Sequence, residues 1–129
     1  MNKIKRLPDT EFEVMMCVWE HEPPCSTADI HKALEKTRSW NMSALQTMLN
    51  RLTEKGFLST EKIGKNRCYT PLISKEEYLA AENRSFIERI NGGSITRLVA
   101  SLYDSRSIGE KDLAELMDYI NKHTQNPKE

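Results

Sequence analysis

The chain has 129 residues, enough for one domain or for a small domain with an appendage. It carries 19 basic and 19 acidic residues, and a formal net charge of zero at first argues against a protein that binds nucleic acid. The positive charge is unevenly distributed, however: residues 32–67 contain 8 Lys and Arg but only 3 Asp and Glu. Attraction of phosphate depends on that local field, so a nucleic-acid partner stays open.

Several other classes of protein are excluded by pattern. No run of about 18 apolar residues occurs, and the N-terminal MNKIKRLPDT lacks the apolar core of a secretory signal, so we expect a cytoplasmic protein. The cysteines lack C-x-x-C spacing and are expected to be free thiols; they are Cys17, Cys25 and Cys68. No phosphate-binding loop and no nucleophile elbow is present, so we expect neither a cofactor nor an enzyme.

Two amphipathic helices are predicted after a short basic lead over residues 1–8. The first begins at Asp9 or Thr10, where Thr10-x-x-Glu13 fits a capping box, and ends before Pro23-Pro24. Its apolar stripe is expected to pack under the third helix and comprises Phe12, Met15, Met16 and Trp19. A very short strand is predicted at Cys25. Ser26 then caps the second helix, whose inward residues are Ile30, Ala33 and Leu34.

Residues 41–72 predict a helix followed at once by a β-hairpin with a basic tip. The apolar residues of the helix recur at i, i+3, i+4 and i+7; they are Leu45, Met48, Leu49 and Leu52. Trp40 should anchor its entry, Asn41 or Ser43 can cap it, and Lys55-Gly56 can end it. The strand-like runs 57–63 and 67–72 flank a polar turn, Gly64-Lys65-Asn66. This order is typical of a winged helix, whose recognition helix can enter a major groove while the hairpin lies along the backbone.

The face of this helix opposite the leucines carries small and amide side chains that suit base edges and phosphates. An ordinary solvated helix face would look similar, and the basic hairpin favours the DNA-binding interpretation. The candidate DNA-binding residues are Ser43, Gln46, Thr47, Asn50 and Arg51 on the helix and Lys65 and Arg67 on the hairpin.

Residues 73–129 predict three short amphipathic helices, which makes residues 1–72 the DNA-binding domain and 73–129 a second domain. Ser74-x-x-Glu77, Ser94 and Ser107-x-x-Glu110 are the expected caps, Asn91-Gly92-Gly93 is the expected break, and the tail from His123 is polar. A segment this short buries too little apolar surface to form a stable core alone. We therefore expect its apolar stripes to pack against a second copy rather than form a monomeric cap. The expected interface comprises Leu98, Leu102, Leu113, Leu116, Met117 and Ile120.

Several runs along the chain carry a family resemblance. They are EFEVM at 11–15, Trp40, LNRL at 49–52, KGF at 55–57, YTPL at 69–72, and residues 94–102 after Gly92-Gly93. Over residues 7–122 the chain resembles the penicillinase repressor family of the BlaI and MecI type. The resemblance implies a mainly α fold with a small β-hairpin, in which a winged helix-turn-helix N-terminal domain precedes a helical C-terminal dimerisation domain. It also implies a homodimeric transcriptional repressor that binds inverted-repeat operators, as in antibiotic resistance, with a membrane-embedded sensor metalloprotease as a further partner.

The chain departs from the family pattern in three places. Family members often carry Ser-Pro-Lys-Thr at the start of the recognition helix, where this chain has Asn41-Met42-Ser43-Ala44. The copper-responsive members have C-terminal cysteines, and residues 73–129 contain none. The penicillinase repressors are cut by the sensor protease at an Asn-Phe bond in the fifth helix, where this chain has Ser101-Leu102. The bond at the corresponding position joins Ser101 to Leu102, and the resemblance implies inactivation by proteolysis there.

Two alternatives stay open at this point. One is a winged helix that serves only as a protein-interaction module. The other is a repressor that responds to a metal or a thiol reagent through Cys17-x-x-x-His21-x-x-x-Cys25. Proline interrupts that spacing and no fourth ligand is evident, so we expect no metal site.

Overall fold

The structure is a computed structural model that describes residues 4–90 and 92–124. The predicted fold class is confirmed, because the described residues form six helices and a small antiparallel sheet. In chain order the elements are α1 Asp9–Trp19, β1 Cys25–Ser26, α2 Thr27–Leu34, α3 Met42–Glu54, β2 Leu58–Ile63, β3 Asn66–Pro71, α4 Lys75–Ile90, α5 Ile95–Asp104 and α6 Glu110–Thr124. Across these ranges, every helix is too short or too polar to span a bilayer. The start of the predicted basic lead, the predicted break at Asn91 and the end of the polar tail lie outside the described residues.

The chain divides into two compact units, Met1–Asn83 and Arg84–Glu129, and the division falls inside α4. The first unit therefore contains α1 to α3, the sheet and the first half of α4. The second contains the rest of α4 with α5 and α6. The predicted separation of residues 1–72 from residues 73–129 concerns function, and it stays a prediction.

The first unit has one hydrophobic core, to which the three N-terminal helices and the sheet all contribute. The leucines of α3 are fully buried as predicted at Leu45, Leu49 and Leu52, and Met48 packs at the edge. Ile30 and Leu34 of α2 are buried as well, and Trp40, at 5% exposure, anchors the entry to α3. Helix α3 is thus held from beneath by apolar contacts, and its opposite face is left to solvent.

The apolar stripe predicted for α1 is only partly correct. Val14, Met15 and Val18 hold the fully buried positions, whereas Phe12, Met16 and Trp19 are half-buried. Phe12 and Trp19 pack instead on Tyr78 of α4, with ring centroids 5.6 and 5.8 Å away. The single-stripe prediction failed because α1 is covered on two sides, by the core helices and by α4.

The sheet has the order β1-β3-β2, with all neighbours antiparallel. The very short strand predicted at Cys25 is present as β1 and pairs with β3. Strands β2 and β3 form the predicted hairpin, but Ile63 pairs with Asn66, so the turn contains two residues rather than three. Gly64 occupies its first position with φ 63°, a conformation that glycine adopts without strain and that matches the twist of the flanking strands.

The ends of the helices follow most of the predicted caps. The Asn41 side chain accepts from the backbone N–H groups of Ser43 and Ala44 at the start of α3, and Ser26 and Ser94 cap α2 and α5 in the same way. At the end of α3, Phe57 N–H donates to the Leu52 carbonyl and Gly56 N–H to the Thr53 carbonyl. This pair of backbone hydrogen bonds requires the left-handed φ of 87° at Gly56.

Two predicted caps are wrong. Helix α1 is preceded by Pro8, whose carbonyl accepts from the Phe12 N–H, and Thr10 makes no cap because the helix already begins at Asp9. The Glu13 carboxylate pairs with Arg38 at 2.8 Å. Helix α6 begins after Gly109, whose N–H donates to the Asp112 carboxylate at 2.9 Å. Ser107 bonds instead to the Ser105 hydroxyl. By contrast, the capping box of α4 is confirmed in both directions between Ser74 and Glu77.

Candidate nucleic-acid interface

The outward face of α3 begins at an N-terminus that is capped by the Asn41 side chain. Besides the two backbone N–H groups, the Asn41 Oδ1 accepts the Ser43 hydroxyl at 2.7 Å. Thr47 lies one turn further on, and its hydroxyl donates to the Ser43 carbonyl at 3.0 Å. The Thr47 side chain therefore presents a methyl group and an oxygen lone pair to solvent. These groups complement a thymine methyl and a base amino group in a major groove.

Gln46 and Asn50 form a hydrogen-bonded pair on the same helix. The Gln46 Nε2 donates to the Asn50 Oδ1 at 3.1 Å and also to the Tyr69 hydroxyl of β3 at 3.0 Å. Asn50 is exposed and Gln46 is half-buried, while Tyr69 is only 1% exposed. The sequence predicted the first two residues as groove-facing but gave no reason to include Tyr69.

The C-terminal part of α3 meets a buried carboxylate. Glu11 of α1, 3% exposed, forms an ion pair with Lys55, and Arg51 Nη1 lies 4.0 Å from its Oε2. Because Lys55 is the close partner, the more distant Arg51, 57% exposed, retains a guanidinium open to solvent. Sequence reasoning missed this role of Glu11, although a carboxylate at an inward position of an amphipathic helix is the signal that could have revealed it.

The hairpin carries three exposed cations, two of which were predicted. Lys65 stands at the second position of the turn, and Arg67 Nη1 lies 3.3 Å from the Thr60 Oγ1. Lys62 was missed, yet the register places it directly opposite Arg67. Like charges at directly opposed positions repel each other, so this pair is unfavourable in the isolated hairpin and favours an anionic partner.

The predicted site residues of the first unit therefore fall into two groups. Ser43, Gln46, Thr47, Asn50 and Arg51 lie on the outward part of α3, and Lys65 and Arg67 lie on the hairpin that follows it. The Gln46–Tyr69 hydrogen bond joins the two groups, because Tyr69 belongs to a strand of that hairpin.

The three cysteines are free and buried. Burial raises the pKa of Cys17 to about 11 and also raises the pKa of Cys25, so these thiols stay protonated near neutral pH. The Cys17 Sγ faces the Ile30 carbonyl at 3.7 Å, and the His21 Nδ1 is occupied by the Cys17 carbonyl at 2.9 Å. Over residues 4–90 and 92–124, His, Cys, Asp and Glu side chains form no group of three able to hold a metal ion.

The predicted interface residues all belong to α5 and α6 of the second unit, in which neither helix has a fully buried residue. Leu98, Leu102 and Leu113 are half-buried. The other three are exposed: Leu116 by 39%, Met117 by 59% and Ile120 by 42%. Exposed apolar residues that the prediction did not include are Phe86, Ile90, Ile95, Tyr103 and Tyr119.

The predicted cleavage site lies in α5. Ser101 is exposed within α5, and the Leu102 carbonyl accepts the N–H groups of Ser107 and Ile108.

Comparison with known proteins gives a consistent result. The model of the penicillinase repressor family matches residues 7–122. The chain is 33% identical to the penicillinase repressor of Bacillus licheniformis over 129 residues, all of both chains. It is 25% identical to the methicillin resistance regulatory protein MecI of Mammaliicoccus sciuri over 121 residues, which cover 94% of this chain and 98% of MecI.

Two solved structures resemble the N-terminal part. The solution structure of the DNA-binding domain of the repressor BlaI is 41% identical and aligns with a TM-score of 0.52, covering 60% of this chain and 94% of that one. The monomeric form of Bacillus licheniformis BlaI, solved in complex with the blaP half-operator, has the same identity and coverage with a TM-score of 0.50. The match over nearly its whole length shows that this chain belongs to the penicillinase repressor family, whose members are DNA-binding transcriptional repressors and not enzymes.

Proposed function

We propose that the chain acts as a homodimer on inverted-repeat operators, with α3 reading base edges, the hairpin contacting phosphates, and proteolysis in the second unit releasing the DNA. The observation that carries the DNA-binding part is the combination, in one compact unit, of a polar outward face on α3 and opposed cations on the hairpin. Such an arrangement offers two kinds of contact: base contacts, which specify a sequence, and phosphate contacts, which position the protein. The site of action would be the cytoplasm, where operator DNA is present.

The assignment of individual contacts follows from chemistry. Gln46, Thr47 and Asn50 offer donors and acceptors that match base edges. Arg51, Lys65 and Arg67 offer charge, and Ser43 lies at the helix N-terminus, where phosphate is favourably bound. The BlaI complex with a half-operator supports this assignment, because that domain is 41% identical to the corresponding part of this chain.

The dimer is supported by exposed apolar residues on α5 and α6. Leu116, Met117 and Ile120 follow one another at helical spacing on α6, and water contact with such a stripe is unfavourable. A second copy would cover it, and a two-fold dimer would match the two-fold symmetry of an inverted repeat. Leu98, Leu102 and Leu113 would contribute the half-buried part of this interface.

DNA binding is tested with the full-length chain by in vitro selection from a random duplex library, followed by fluorescence anisotropy. We expect an inverted repeat to be selected (the selected duplex) and its affinity to fall steeply with salt, since phosphate contacts release counterions. The same titration on a duplex of random sequence gives the non-specific affinity. An absence of binding to both duplexes at low salt would contradict the proposal and favour a protein-interaction module.

Release by proteolysis is supported by the position of Ser101-Leu102 in α5, between Leu98 and the apolar residues of α6. A cut there would separate Leu98 and its neighbours from α6, so the proposed interface would lose apolar area and the second half-site would lose its partner. Because a bond inside a helix is protected, cutting requires local opening of α5. A membrane-embedded metalloprotease, the partner implied by the family, would supply the cut.

This route is tested by immunoblotting the protein in cells under inducing conditions, for wild type and for Leu102→Asp. We expect a shortened wild-type product when the target genes are expressed and a slower appearance of that product for Leu102→Asp, whose new charge changes the residue after the cut. Expression of the target genes while the wild type stays full length would contradict proteolysis. The thiols would then have to be reconsidered as the sensor.

A further inference from the structure

The Tyr69 hydroxyl is placed to control a base-reading side chain although it does not itself reach the surface. Tyr69 lies on β3, the central strand, with Cys25 and Thr60 as cross-strand neighbours. Its side chain is 1% exposed, so the position of the ring is fixed by the core. From there its hydroxyl oxygen lies 3.0 Å from the Gln46 Nε2 on α3.

This contact and a second one hold the Gln46 amide in place. Its Nε2 donates to the Tyr69 hydroxyl and to the Asn50 Oδ1 at 3.1 Å. A tyrosine hydroxyl both donates and accepts, so it fixes where the amide lies, and the remaining polar atoms of Gln46 and Asn50 are left for a base. In a major groove an amide donor and acceptor suit the edges of base pairs.

Without the tyrosine hydroxyl, the Gln46 amide would not be held at this position. A glutamine side chain on a helix surface otherwise samples several rotamers. It would also lose more conformational freedom when it binds DNA, whereas a side chain already held in place loses less. The Tyr69 hydroxyl thus bears on both the strength and the selectivity of a Gln46–base contact.

We propose that Tyr69 is a positioning residue for sequence recognition, acting through the Gln46–Asn50 pair to hold the amide that contacts one base pair of each half-site. This inference rests on the proposed function, since it requires that α3 reads bases. It adds a buried determinant of specificity on the sheet to the exposed residues of the recognition helix. A tyrosine with a purely structural role would stabilise the fold through its ring and leave base selectivity unchanged.

The test uses Tyr69→Phe, Gln46→Ala and the double variant in the full-length chain. Tyr69→Phe keeps the ring in the core and removes only the hydroxyl, and Tyr78→Phe, which removes another buried hydroxyl, the one that accepts the Leu7 N–H at 2.8 Å, is the matched control. Affinities for the selected duplex and for random duplex are measured by anisotropy, and the thermal unfolding of each variant verifies folding. Selection from the random library is then repeated with Tyr69→Phe.

We expect Tyr69→Phe to weaken binding to the selected duplex roughly fivefold per half-site while binding to random duplex stays the same. In the Gln46→Ala background it should have no further effect, because the residue through which it acts is gone. The selection should lose its preference at one base pair per half-site. The same fold-loss in both backgrounds, or an unchanged preference, would overturn the inference. A wild-type chain with equal affinity for both duplexes would instead contradict the proposed function itself.

Discussion

At the scale of single residues, the proposed interface has separate groups for reading bases and for contacting the backbone. Lys65 stands at the second position of the hairpin turn and is exposed. We predict that Lys65→Ala weakens binding to selected and random duplexes by similar factors and lowers the salt slope by about one unit. Anisotropy titrations at several salt concentrations measure both quantities. The matched control is Lys122→Ala, because Lys122 pairs with Asp118 at 3.2 Å on α6, and a loss restricted to the selected duplex would contradict the assignment of Lys65.

The buried Cys17 thiol makes a second prediction, on stability. Its pKa is about 11 in the folded chain and 9.0 without burial, so the unfolded state releases the proton first as the pH rises. The contribution of this thiol to stability is therefore fully present below pH 9 and is lost between pH 9 and pH 11. We expect the free energy of unfolding of the wild type to fall more steeply over that range than that of Cys17→Ala, by at most about 1.4 kcal/mol per pH unit. Urea titrations at pH 8, 9 and 10 measure the difference, and parallel curves would contradict it.

The sequence predicted correctly which side chains are exposed, but it did not predict which distant residues they contact. The outward position of Thr47 and Asn50 follows from helical periodicity, and the exposure of Lys65 from the turn. By contrast, Glu11 meets Lys55 across 44 positions and Gln46 meets Tyr69 across 23. Contacts at such separations depend on how the elements pack, which no local pattern records.

At the scale of elements, the first half of α4 belongs structurally to the first unit. Tyr78 is 1% exposed, packs on Phe12, Trp19 and Phe57, and its hydroxyl accepts the Leu7 N–H at 2.8 Å. The Trp19 Nε1 donates to the Ile73 carbonyl at 2.9 Å, just beyond the predicted boundary at residue 72. The cluster of four aromatic side chains therefore closes one side of the core.

This packing predicts how fragments of the chain behave. A fragment of residues 1–83 should unfold cooperatively, and a fragment of residues 1–72 should be less stable by roughly 3–5 kcal/mol because it loses a buried aromatic residue. Urea unfolding followed by tryptophan fluorescence compares the two fragments. Tyr78→Phe in the longer fragment is the control, expected to cost only about 1 kcal/mol. Equal stability of the two fragments would show that α4 is not part of this core.

The element boundaries show which local signals are sufficient. The caps at Ser26, Asn41, Ser74 and Ser94 were predicted, because each is a short polar side chain just before an apolar repeat. Thr10 and Ser107 look the same in the sequence, yet Thr10 lies inside α1, which begins at Asp9, and the Asp112 carboxylate accepts the Gly109 N–H before α6. An earlier helix start and a competing local carboxylate thus account for the two caps that the sequence predicted wrongly.

At the scale of the whole molecule, the second unit provides the proposed means of joining two half-site readers. Met117 is 59% exposed on α6, so Met117→Asp should leave the fold of either unit intact while placing a charge in the proposed interface. We expect the variant to sediment as a monomer at micromolar concentration. Its affinity for the selected duplex should be no higher than its affinity for a duplex that contains a single half-site. Leu72→Asp, at a residue equally exposed in the first unit, is the control. A dimeric Met117→Asp variant would contradict this interface.

The central claim is that α3 reads sequence while the hairpin contacts the phosphate backbone, and Thr47→Ala tests it most directly. Thr53→Ala is the matched control, since the Thr53 hydroxyl makes the same bond to the carbonyl four residues earlier on the half-buried side of α3. Anisotropy on the selected and random duplexes gives the ratio of specific to non-specific affinity for each protein. We predict that Thr47→Ala lowers this ratio by an amount equivalent to a free energy of about 1–3 kcal/mol and that Thr53→Ala leaves it unchanged. Equal losses on both duplexes for Thr47→Ala would contradict the claim.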